Sequence, residues 1–184
     1  MKALALLAVS SLLLSGCAAM SEAECRAGDW YGTGEKDGRD GRESRLGDYA
    51  DACQKVNVIP NGDEYARGRE RGLRAYCTPE NGYRAGRDGY TYRNVCPREL
   101  QGDFLREYER GRARYELKRD IDNTERDMAN WDREINLLND KISKATTDDD
   151  RRKFRREREN YERMRRDAQS RLIMLRAKWL VQGD

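Results

Sequence analysis

From Pro97 onward, apolar residues recur at steps of three and four within a strongly charged background. Ile121, Thr124, Met128, Trp131, Ile135, Leu138, Ile142 and Ala145 form one seam with a single polar member. Phe154, Tyr161, Ala168, Leu172, Leu175 and Trp179 form a second. Such spacing keeps each set on one helical face, as in a coiled coil. Lys144-Ala-Thr-Thr-Asp-Asp-Asp150 separates the two. Thr147 suits the N-cap of a new helix, and Asp148, Asp149 and Asp150 suit its positive end. An antiparallel hairpin turning near residues 144–150 pairs Ile142 with Phe154, Ile135 with Tyr161 and Met128 with Ala168. The same register pairs Thr124 with Leu172, Ile121 with Leu175 and Leu117 with Trp179. The arms are expected to be on the order of 50 Å long, with Trp131 and Trp179 anchoring the seam.

Upstream, glycine and tyrosine replace the heptads. Tyr31-Gly-Thr-Gly34-Glu-Lys-Asp-Gly38 has the form Y-x-x-G-x-x-x-G, and Tyr65-Ala-Arg-Gly68-Arg-Glu-Arg-Gly72 repeats it. The segments starting at Tyr83 and Tyr108 keep the spacing but end in Tyr90 and Tyr115. Offsets of three and seven share a helical face. Each helical glycine costs nearly 1 kcal/mol relative to alanine, so the repetition predicts another backbone or a tyrosine ring against that face. The expected structure is short helices crossing closely, with rings over the glycine gaps. A functional alternative places Tyr65, Arg69, Tyr83 and Arg87 on a polar-aromatic surface for a cell-wall glycan or small ligand.

The N-terminus carries an address. Lys2 precedes an apolar run, Ala3 to Leu14, broken only by Ser10 and Ser11. About a dozen residues reach roughly 18 Å, short of the roughly 30 Å hydrocarbon core. The run therefore reads as a signal peptide over residues 1–16. Leu14-Ser15-Gly16-Cys17 resembles the lipobox of bacterial lipoproteins, in which the cysteine is acylated and becomes the first mature residue. Cys17 matches that position. Acyl chains contribute about 0.8 kcal/mol per buried methylene, so the expected partner of Cys17 is a lipid bilayer. Ala18, where an aspartate would favour inner-membrane retention, points by analogy to the outer membrane facing the periplasm.

Composition narrows the function. The chain has 37 basic and 34 acidic residues, no histidine and a formal net charge of +3. Both signs mix throughout, which argues against a nucleic-acid partner. Arg151-Arg152-Lys153 and Arg155-Arg156 read as a solvated face balanced by Glu157 and Glu159; the sharper alternative is contact with an anionic envelope surface such as peptidoglycan or lipid headgroups. A mean hydropathy of −1.09 leaves little for a large core. Cys25, Cys53, Cys77 and Cys96 remain after Cys17 and fit disulfides in an oxidising compartment. Of three possible pairings, Cys25–Cys53 with Cys77–Cys96 is favoured, since each closes a local loop, contributing roughly 3 kcal/mol. Zinc fits poorly without histidine or a C-x-x-C pair. No metal or other cofactor is expected, and no enzyme either. The chain lacks the usual neutral-pH base, a G-x-S-x-G elbow and a P-loop.

One order of features resembles a known family. The lipobox is followed by Cys25, Asp29-Trp30 and a glycine-rich stretch. Then come Cys53, the Tyr65 repeat ending in Tyr76-Cys77, Pro79-Glu80-Asn81-Gly82-Tyr83 and Val95-Cys96-Pro97. This is similar to the uncharacterised bacterial lipoproteins of domain-of-unknown-function family 2799, over roughly residues 17–115. The resemblance implies a small exported Cys/Gly-rich domain and carries over no catalytic residue. The expected fold is all-α: a disulfide-stapled Gly/Tyr-rich helical domain (17–100), then the coiled-coil hairpin (101–184). The expected role is a structural or protein-interaction factor of the envelope.

Overall fold

The computed structural model describes residues 19–182. The signal-peptide assignment and Cys17 lie outside the described residues. Within them the chain is all-α, as expected: seven helices, one 3-10 turn at Gln54–Val56 and no strand. The contacts divide the chain between Tyr76 and Cys77, ahead of the compositional shift near residue 100. The reason is that the fifth helix packs along the sixth, so the long helix serves both the glycine-rich region and the hairpin.

The first unit holds α1 (Glu22–Ala27), α2 (Trp30–Arg39), α3 (Leu46–Cys53) and α4 (Gly62–Tyr76). Ser21 and Glu24 form a reciprocal capping box at α1, satisfying two amides that the helix leaves open. Asp29 then caps α2, accepting from the Gly32 amide at 2.8 Å. Met20, Cys25, Trp30, Tyr49, Cys53 and Tyr65 make the core. The Cys25–Cys53 disulfide crosses it, with Cα atoms 5.5 Å apart.

Glycine sets the distance between α2 and α4. A Cβ on Gly34 or Gly38 would stand 2.1 or 2.3 Å from the carbonyl oxygens of Tyr65 and Arg69. A Cβ on Gly68 or Gly72 would stand 2.0 or 2.1 Å from those of Tyr31 and Glu35. Of the two expected neighbours, opposing backbone rather than a tyrosine ring fills these gaps. Contact this close suits weak Cα–H···O bonds.

The second unit contains α5 (Pro79–Arg87), α6 (Arg98–Lys144) and α7 (Asp148–Gln182). Thr78 caps α5 through the Asn81 amide at 3.2 Å, and Pro79 occupies the first turn. Gly82 and Gly86 lie against the carbonyls of Phe104 and Tyr108, and Gly111 against that of Tyr83. The Cys77–Cys96 disulfide, with Cα atoms 5.7 Å apart, ties the start of α5 to the loop before α6.

Each unit thus carries the same two-helix module, in a register the tyrosine repeat does not show. Gly34, Gly38 and Gly41 correspond to Gly82, Gly86 and Gly89; Tyr65, Gly72 and Tyr76 correspond to Phe104, Gly111 and Tyr115. The turn Gly38-Arg-Asp-Gly41 recurs letter for letter as Gly86-Arg-Asp-Gly89. Its second glycine is left-handed in both, at φ 62° and 79°. A side chain there would strike the Tyr76 or Tyr115 ring, so rings do cover glycines, but at the turns. In both modules the disulfide joins the segment before the first helix to the segment before the second.

Beyond Tyr115, α6 and α7 form the antiparallel hairpin in the expected register. Leu117, Ile121 and Leu172 cluster with Met128, Leu175 and Trp179. Arg176 pairs with Glu125 at 2.7 Å, and Arg165 pairs with Asp132. Thr147 caps α7, accepting from the Asp150 amide at 3.1 Å. Arg151 closes the turn through the Ala145 carbonyl at 2.8 Å.

Candidate functional site

Tyr65 lies in α4 but not on a binding surface. It is 2% exposed, and its hydroxyl donates to Asp37 at 2.9 Å and accepts from the Arg45 amide at 3.0 Å. Tyr49 donates to the same Asp37 oxygen at 2.8 Å, and the Arg42 guanidinium stands 3.5 Å from the other. Burial first, then the hydrogen bond to Asp37, pushes the Tyr49 hydroxyl well above its usual range. Burial likewise raises Tyr65, partly opposed by the Arg45 amide. Both hydroxyls remain donors, which a buried carboxylate requires. Asp37, Tyr49 and Tyr65 are buried; the cluster ties α2, α3, the loop at 42–45 and α4 together.

Asp37 was not among the residues singled out from the sequence. A signal exists: Trp30, Gly34, Asp37 and Gly38 fall on one helical stripe, so an acid there must be buried with donors.

The other proposed ligand residues are similarly engaged. Arg69 is half-buried and donates to the Arg42 carbonyl at 2.8 Å, while its Nε is buried without a hydrogen-bond partner. Tyr83 belongs to the second unit, half-buried with the Arg110 guanidinium 4.7 Å above its ring. Arg87 is exposed and pairs with Asp88 at 3.0 Å, the bond that raises its pKa. The structure therefore assigns Tyr65 and Arg69 to one unit and Tyr83 and Arg87 to the other. The faces of Gly68 and Gly86 are occupied by the Tyr31 and Tyr108 carbonyls.

The hairpin presents a different kind of surface. An open shelf at its turn is lined by Asp140, Lys141, Lys144, Thr146, Asp150 and Phe154. A second follows α6 past Tyr115, Lys118, Asp122, Glu125 and Ala129. At the far end of α7, Ile173, Met174, Leu180 and Val181 are 60%, 74%, 79% and 87% exposed. They face away from Leu172, Leu175 and Trp179, which pack on α6. The exposed strip lies off the seam, whose spacing marks only the residues that face α6. Among the described residues no group of three or more His, Cys, Asp or Glu side chains is placed to hold a metal ion.

No curated protein and no solved structure matches the chain. One family does, over residues 29–113. That stretch opens at the N-cap of α2 and ends two residues before Tyr115. It therefore takes in the helices of both glycine-packed modules and leaves out the hairpin beyond. Residues 29–113 match the family described as protein of unknown function (DUF2799).

Proposed function

We propose that the protein is a lipid-anchored bacterial envelope lipoprotein whose coiled-coil hairpin acts as a structural or protein-interaction element. The observation that carries this reading is the arm beyond Tyr115. Residues 117–144 of α6 run about 40 Å with α7 as their partner, sealed by an apolar seam and interhelical ion pairs. A rigid rod with open shelves and an exposed apolar strip suits presentation to another molecule better than enclosure of a small one. The lipobox-like Leu14-Ser15-Gly16-Cys17 and the two disulfides support an oxidising compartment and an anchor at Cys17. By the Ala18 argument, the outer membrane facing the periplasm is the proposed location, with an envelope protein or peptidoglycan as partner. No observation favours the glycan- or ligand-binding alternative, since backbone fills the glycine faces it needed.

Crosslinking in intact cells tests the role. Deleting residues 116–184 leaves Tyr115 over Gly89 and should abolish the captured partners while the remaining chain accumulates. Unchanged partners after that deletion would rule the hairpin out as the interaction element.

A further inference from the structure

The outward face of α7 changes character partway along. Arg152, Arg156, Glu159, Arg163, Arg166 and Ser170 hold it through the first two thirds; Ile173, Met174, Ala177, Leu180 and Val181 hold it thereafter. At 100° per residue the apolar members fall within about 60° of one line. Arg176 flanks that line on one side, and Lys178 and Arg171 flank it on the other. Residues 168–182 contain no acid. Arg171 and Arg176 also pair with Asp120 and Glu125 of α6, at 3.8 and 2.7 Å.

From this we infer that the C-terminal end of α7 seats in the headgroup region of an anionic phospholipid bilayer. An apolar strip with basic shoulders on both sides is the pattern of an interfacial helix, whose cations reach phosphates while its apolar face enters the acyl boundary. A second copy of this chain fits less well. The strip is about 12 Å long, far too small for the roughly 800 Å² per partner of a stable interface, and it would set basic shoulders against basic shoulders. No helix among the described residues is long and apolar enough to cross a membrane, so the contact is peripheral.

The test uses the full acylated chain in vesicles of phosphatidylethanolamine and phosphatidylglycerol containing a nitroxide-headgroup lipid. A fluorophore on Met174→Cys should be quenched several-fold more than one on Arg152→Cys. The difference should shrink in high salt, in pure phosphatidylcholine, and when Ile173→Asp and Leu180→Asp are added. Those two positions are exposed, so circular dichroism should show the variants helical. Equal quenching at 174 and 152, or quenching indifferent to anionic lipid, overturns the inference, as does self-quenching at 174 that grows with protein density. Flotation of the chain with the vesicles scores the anchor separately. A chain that floats without quenching at 174 defeats this inference alone. Quenching at 174 in a Cys17→Ser chain upholds it whatever the fate of the anchor.

Discussion

Gly102 and Gly111 lie in the same helix, and the same substitution should move stability in opposite directions at the two. A Cβ on Gly111 would stand 2.1 Å from the Tyr83 carbonyl oxygen and 2.7 Å from the Arg87 amide nitrogen. Ordinary contact needs roughly 3.5 Å, so α5 and α6 would have to separate by more than an ångström. Both obstructing atoms are backbone and cannot rotate aside. Overpacking costs typically about 1–3 kcal/mol, and a rigid backbone contact belongs at the upper end. Alanine returns about 1 kcal/mol of helix propensity. The expected net loss for Gly111→Ala is about 2 kcal/mol, roughly a thirtyfold fall in the folding constant. Gly102 has nothing within 4 Å of its Cβ position, so Gly102→Ala keeps the propensity gain, up to about 1 kcal/mol. Urea unfolding followed by far-ultraviolet circular dichroism, with the slope checked for constancy, reads both. If Gly111→Ala proves as stable as the parent, close backbone packing is not what those glycines provide.

Asp37→Ala should cost the first unit about 3 kcal/mol, because it leaves the Tyr49 and Tyr65 hydroxyls buried without their acceptor; urea unfolding measures it, and a loss below about 0.5 kcal/mol would argue against the cluster. The raised tyrosine pKa values make alkali a second probe. Their contribution is complete below the unfolded value near pH 10 and is lost as pH climbs through the folded values, so tyrosinate absorbance should rise together with loss of helix, whereas independent titration would contradict the linkage. The double variant Cys25→Ser/Cys53→Ser removes a link across 28 residues and should lower stability by about 3 kcal/mol, read by thermal unfolding under non-reducing conditions. Thr147→Ala should cost about 1 kcal/mol by removing the α7 cap, visible as faster amide exchange in the first turn of α7.

The hairpin was legible from sequence because its signals are local and redundant. Heptad spacing fixed the two faces, Thr147 and three aspartates fixed the turn, and one register satisfied every apolar pair. The disulfides followed from chain proximity. The glycine modules were legible only in part. Four similar segments announced close packing, yet the tyrosine-led alignment mixed first helices with second ones. The true repeat is marked by Gly38-Arg-Asp-Gly41 and Gly86-Arg-Asp-Gly89, whose meaning depends on a left-handed turn glycine beneath a ring far along the chain. Tyr65, expected in the packing with a binding surface as the alternative, is buried, but nothing local in the sequence names what its hydroxyl meets. Its partner Asp37 sits 28 residues away, and only the packing of α2 on α4 joins them. The α7 strip is present in the letters, but it is a second apolar face on a helix whose three-and-four spacing already marks one.

The proposed location descends from the thiol at position 17. Cells expressing the chain, grown with labelled palmitate, provide the direct measurement. The account requires label on the parent protein, recovery in the membrane fraction, and loss of both in Cys17→Ser. A parent chain that takes up no palmitate, with a Cys17→Ser variant fractionating identically, would contradict it.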